Sequence, residues 1–77
     1  MNTIYDIPVG QTAVVADIRE AGELRRRLFD LGFTTGARIR CVGESPLGNM
    51  KAFFVYGTVI ALRKKECETI QIIRGNT

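Results

Sequence analysis

Residues 22–36 read GELRRRLFDLGFTTG, and whether this stretch is helix or strand decides the architecture of the whole chain. Leu24, Leu28 and Leu31 recur at i, i+4 and i+7, so a helix gathers them into one apolar stripe while a strand would scatter them over both faces. Gly32, directly after the last leucine, suits a left-handed helix stop, and Glu20 and Glu23 sit where carboxylates complement the positive end of the helix dipole. The three consecutive arginines then spread around the helix at about 100° per residue. Arg26 and Asp30 lie opposite the leucines at i, i+4, a spacing that predicts an exposed ion pair of about 0.3–0.5 kcal/mol. Arg25 and Phe29 share one flank. Arg27 lies on the other, close enough to the leucine seam for its stem to pack while its guanidinium reaches a carboxylate or a carbonyl.

Outward from this helix the pattern changes to period two. Residues 12–18, TAVVADI, read as a strand with Val14, Ala16 and Ile18 inward. Residues 37–42, ARIRCV, alternate clearly, with Ala37, Ile39 and Cys41 inward and Arg38 and Arg40 outward. KAFFVYG (51–57) and TVIALR (58–63) are rich in aromatic and β-branched residues and flank a tight turn at Gly57. TIQII (69–73) places Ile70 and Ile72 on one face as a closing strand. Five strands result. The intervening ESPLGNM (44–50) reads as an exposed loop, and RKKECE (63–68) as a single helical turn. Phe53 and Phe54 cannot both point inward on one strand; the expectation is that the leucine stripe covers whichever faces out. The expected core comprises Leu24, Leu28, Leu31, Val14, Ile39, Ile60, Leu62 and Ile70.

A 77-residue chain makes one domain, residues 1–77, burying only about 60% of its unfolded surface. Its formal charge of +3 is modest beside domains built on nucleic acid. No apolar run approaches the roughly 20 residues of a membrane span, and MNTIYDIPVG lacks the basic start and apolar centre of a leader. A cytoplasmic protein is expected. Two cysteines, Cys41 and Cys67, and no histidine fall short of a structural zinc site with four such ligands; both thiols read as small buried hydrophobes. The other donors, Met1, Met50, Asp6, Asp17 and Glu44, show no metal-site spacing, so no metal site and no cofactor are expected, and weak Fe(II) or other transition-metal binding stays open. With no histidine, no nucleophile beside a base and no phosphate-binding glycine loop, the residues point away from an enzyme.

LRRRLFDLGFTTGARI, then SPLGN, then VIALRKKECETIQI resemble the FeoA family of ferrous iron transport proteins over nearly the whole chain. The likeness rests on Arg27, Leu28, Leu31 and Gly32 with Gly36 downstream, on Pro46, Leu47 and Gly48, and on Ile60 to Arg63 running into Ile70. It implies a mainly β fold, an SH3-like small five-stranded β-barrel with an amphipathic helix in the first long loop and a short helical turn before the last strand. It also implies a small cytosolic accessory of FeoB, the membrane GTPase-linked Fe(II) transporter, rather than an enzyme. Similar domains occur fused to FeoB and at the C-terminus of iron-dependent repressors. The loop departs from the common Pro-x-Gly-Asp-Pro of the family, with Asn49 and Met50 after Gly48.

The arginine run admits three readings: a solvated face, a docking surface for an acidic partner, or a grip on nucleic acid. Phosphate binding would want more cations on one face and exposed aromatics for stacking, whereas Asp30, Glu20 and Glu23 stand among and before the arginines. The leading expectation is a protein-binding regulatory module for FeoB, with Arg25, Arg27 and Phe29 of the helix and Leu47 and Asn49 of the loop as partner contacts and no nucleic acid bound. The alternatives are a nucleic-acid-binding small barrel and an Fe(II)-sensing protein.

Overall fold

A computed structural model of the chain describes residues 2–73; Met1 and residues 74–77, the ends of the expected 1–77 domain, lie outside the described residues. A 3-10 turn at Ile4–Asp6 is followed by β1 (Thr12–Ile18), α1 (Glu23–Leu31), β2 (Arg38–Glu44), β3 (Met50–Val55), β4 (Thr58–Arg63), α2 (Lys64–Cys67) and β5 (Ile70–Ile73). The strands form one antiparallel sheet in the order β4-β3-β2-β1-β5. A meander of four strands is thus completed by β5 returning beside β1. Beyond β5 the sheet continues into the N-terminal segment, where Thr3 bridges Gln71 and the Ile72 amide donates to the Asn2 carbonyl at 3.1 Å. The mainly β, five-stranded barrel-type fold, the helix between the first two strands and the helical turn before the last are as the sequence predicts.

The inward side chains of the five strands supply most of the core, and residues from outside the sheet, Leu28 and Phe33 among them, complete it. Leu28 of α1 is wholly buried, and Leu24 and Leu31 pack partly against the same core, as the apolar stripe requires. Gly32 ends the helix at φ +114°, and its amide and that of Phe33 donate back to the carbonyls of Phe29 and Leu28 at 3.0 Å. This stop turns Phe33 inward, where it meets Phe53 edge to face with ring centroids 6.4 Å apart and planes at 87°. Ile4 and Ile7 of the N-terminal segment also enter the core, an element the alternation did not reveal.

Four expectations are corrected. In β1 the inward residues are Ala13, Val15 and Ile18, not Val14, Ala16 and Ile18; the register against β5 shifts between Val15 and Asp17, and this irregularity restores Ile18 to the interior after the phase set by Ala13 and Val15. Val14 consequently leaves the core. Phe53 is the inward phenylalanine, and Phe54 stays 45% exposed rather than being covered by the leucines. Leu24, Leu31 and Ile60 lie at the margin of the core rather than inside it. Among the described residues no ion pair joins Arg26 to Asp30; α1 uses its other arginines instead.

The β3–β4 connection is a two-residue turn, Tyr56 and Gly57, with φ of +49° and +81°. Positive φ at both central positions matches the right-handed twist of the flanking strands, but a tyrosine there is strained. Its ring rests on Gly32: a Cβ at Gly32 would stand 2.8 Å from Tyr56 Cδ2 and 3.2 Å from Cγ2 of Val55, a residue with no exposure. The helix stop and the hairpin tip therefore need the same missing side chain. Gly32→Ala should destabilise the chain by about 2 kcal/mol or more, combining left-handed strain with displaced packing. Gly36→Ala, at φ +88° with nothing within 4 Å, should cost only the conformational part. Chemical denaturation of both variants checks this, and equal losses would remove the packing role of Gly32.

Candidate functional site

Four local arrangements fix the surface around α1, α2 and the 45–49 loop. The first concerns Arg25 and Phe29, which the sequence placed on one flank. The Arg25 guanidinium lies 4.8 Å from the centre of the Phe29 ring, donates to the Ile18 carbonyl at 2.7 Å and approaches Asp17 at 3.6 Å. It clamps the helix to the end of β1. The second concerns Arg27, whose guanidinium pairs with Glu66 of α2. The sequence left a carboxylate or a carbonyl open as its partner and could not indicate Glu66, because 39 residues separate the two. Glu66 also accepts from the Arg63 amide at 2.9 Å, capping the first turn of α2. One carboxylate thus joins the helix to the β4–α2 corner.

The third arrangement centres on Tyr5 and Lys51, neither of which the sequence singled out. Lys51 is only 6% exposed, and its Nζ donates to the carbonyls of Tyr5 and Ile7 at 2.7 and 2.9 Å while lying 4.9 Å from the centre of the Tyr5 ring. Lys64 Nζ approaches the same ring at 5.2 Å. The Tyr5 hydroxyl donates to the Gly48 carbonyl at 2.6 Å. A buried ammonium is tolerable only when such acceptors replace its water, and here they tie the N-terminal turn to the barrel.

The fourth is the loop itself. Asn49 is exposed; its Oδ1 accepts from Ser45 Oγ at 2.6 Å, and its carbonyl accepts from the Lys64 amide at 2.9 Å. Leu47 is 88% exposed at the tip. The structure therefore brings Arg27 and Asn49 both to α2, through Glu66 and the Lys64 amide, whereas Arg25 and Phe29 belong to the β1 side of α1. A cleft of about 490 Å³ beside α2 is lined by Asn49, Met50, Arg63, Lys64 and Lys65. A second, of about 440 Å³, is lined by Glu23, Leu24, Arg26, Arg27 and Asp30. The basic run at 63–65 joins the surface only through the fold, since in sequence it reads as an ordinary polar helical turn.

Both cysteines are free and buried. Burial, with a smaller contribution from the Glu66 charge, pushes the Cys67 thiol up to about 12 from 9.0. Its Sγ lies 3.8 Å from the Leu62 carbonyl. Among the described residues no group of three or more His, Cys, Asp or Glu is placed to hold a metal ion, and no helix is long and apolar enough to cross a membrane.

Taken together, these elements define an SH3-like small barrel with an inserted helix. The sequence profile of the FeoA domain matches residues 2–74, and the chain belongs to the FeoA family. The iron(II) transport protein A of Clostridium thermocellum superposes with a TM-score of 0.91 at 27% identity over 95% of this chain and 45% of that one. FeoA of Stenotrophomonas maltophilia, solved with zinc and described as an SH3 domain protein possibly acting as a ferrous iron transport activating factor, superposes with a TM-score of 0.84 at 28% identity over 95% of this chain and 91% of that one. A 50-residue stretch is 38% identical to part of the AMP phosphorylase of Methanosarcina barkeri, covering 61% of this chain and 10% of that enzyme. The chain thus spans about a tenth of that enzyme and under half of the C. thermocellum protein.

Two outcomes follow from this geometry. Because Glu66 serves both Arg27 and the Arg63 amide, Glu66→Ala should cost more stability than Arg27→Ala. A double-mutant cycle should give the exposed pair a coupling below about 1 kcal/mol; an Arg27→Ala loss as large as that of Glu66→Ala would contradict this. Since the unfolded Cys67 thiol ionises near 9.0 and the folded one only near 12, the unfolded chain loses its proton first. Stability from this group is therefore present below pH 9 and falls as pH rises toward 12. Melting profiles between pH 8 and 11 should be flatter for Cys67→Ala than for the parent chain.

Proposed function

We propose that the chain is an accessory of ferrous iron transport that works in the cytoplasm by docking on FeoB, altering transport or GTP turnover rather than catalysing a reaction itself. The observation that carries this reading is the FeoA-domain match over residues 2–74. The likeness to iron(II) transport protein A and to the S. maltophilia FeoA supports it. In this reading the docking surface is the region around α1, α2 and the 45–49 loop. Leu47 offers an exposed apolar contact there, and Arg63, Lys64 and Lys65 add positive charge suited to an acidic partner. Arg25 and Phe29 act as a rigid stacked pair, and Arg27 and Asn49 hold the helix and loop in place on α2. No resident metal is assigned to the chain.

The binding of the purified chain to the GTPase domain and to full-length FeoB tests this directly. Saturable binding is expected, weakened about tenfold by Leu47→Glu with a melting temperature close to that of the parent, because Leu47 is almost fully exposed. Lys65→Glu should weaken binding further as salt is lowered. Absence of binding to both forms of the transporter would refute the reading.

A further inference from the structure

The outer face of the sheet across β2, β3 and β4 is unlike the solvent face of an ordinary antiparallel sheet, where polar residues alternate outward. Its cross-strand rows are Arg40–Phe54–Val59, Gly43–Ala52–Ala61 and Met50–Arg63. The register irregularity between Cys41 and Gly43 leaves Val42 exposed beside them. Phe54, Val59, Val42 and Val9 are 45, 59, 41 and 54% exposed, and Val9, Val42 and Phe54 line a shallow cleft of about 370 Å³ with Arg40. Large apolar side chains gathered on one face, as opposed to scattered singly, mark a contact surface. The charges in these rows are Arg40 and Arg63, with Arg38 paired opposite Val14 farther along β2; no carboxylate stands among them.

We propose that this face is a docking surface for an acidic polypeptide segment, whose apolar side chains seat on Val42, Phe54 and Val59 and whose carboxylates meet Arg40 and Arg63. The charge pattern selects this occupant. A second copy of the chain placed face to face would set these arginines against their own counterparts, a like-charge juxtaposition that is costly. A nucleic acid strand would need successive aromatic platforms along a cationic track, whereas three of the four exposed apolar residues here are valines. The inference goes beyond the transporter reading and does not depend on FeoB being the partner.

The test is an amide-shift titration of the whole 15N-labelled chain with three probes: a short peptide alternating leucine or phenylalanine with glutamate, the same peptide with lysine for glutamate, and an oligothymidylate. The glutamate peptide should give saturable shifts centred on Arg40, Val42, Gly43, Phe54 and Val59, and the other two probes should not. Arg40→Glu should weaken the glutamate peptide about tenfold or more and move the preference toward the lysine peptide. Gly43→Val supplies a second arm: an added Cβ there meets only the Ala52 Cβ at 3.8 Å, so the fold should be retained, checked by its melting temperature, while the raised surface weakens peptide binding. Several results would overturn the proposal. These are equal binding of the two peptides, oligothymidylate shifts at the same amides, concentration-dependent shifts there without peptide, shifts centred on α1 or α2, or none at millimolar peptide.

Discussion

A barrel of five strands, each four to seven residues long, cannot fill its own interior with the side chains its alternation supplies. In so small a domain each buried side chain carries a large share of the net stability. The remaining volume is taken by Leu28 and Phe33, by Ile4 and Ile7, and by the smaller Ala37 and Cys67, all with almost no exposure. Leu28 and Phe33 are five residues apart and must both point inward. A helix that continued through residue 33 would carry Phe33 away from the Leu28 face, so the chain has to stop at Gly32 in a left-handed conformation. That stop places the hairpin tip, through Tyr56, directly on the helix end.

The same need to fill from outside brings polar backbone close to the core. The 3-10 turn at Ile4–Asp6 delivers two isoleucines and also the carbonyls of Tyr5 and Ile7, which Lys51 satisfies. No buried side-chain nitrogen or oxygen among the described residues lacks a hydrogen-bond partner. An ammonium so enclosed specifies the position of the N-terminal turn more sharply than apolar contact alone, because removing either partner would leave a costly unpaired group. Through Tyr5 this anchoring reaches the Gly48 carbonyl and hence the loop beside α2.

Legibility in the sequence followed the range of the determining interaction. The leucine stripe, the Gly32 stop, the ARIRCV alternation and the Gly57 hairpin are set by neighbours within a few residues, and all are found in the structure. The inward phase of β1 was misjudged because Val14, Ala16 and Ile18 offer as good an alternation as Ala13 and Val15, and only pairing with β5 decides where the irregularity falls. Lys51 could not be recognised as buried, since its acceptors lie 44 and 46 residues away. Glu66 was equally silent as the partner of Arg27. In each of these cases the deciding contact exists only after the sheet has closed.

The contrast between charged and apolar surface residues has a consequence for how this surface is used. In the sequence, the arginine run is the feature most suggestive of a partner, yet Arg25 is engaged by Ile18, Asp17 and Phe29, and Arg27 by Glu66. Breaking those contacts to meet another molecule would forfeit internal ones, whereas meeting a partner with them intact would not. Leu47, Phe54 and Val59 are in the opposite position: each exposes apolar area to water while its backbone is already fixed by loop or sheet. Covering such residues removes water without first disrupting anything, and little conformational entropy remains to be lost. In the docking proposed above, the exposed apolar groups would therefore supply most of the driving force, and the engaged arginines would act through the field they project.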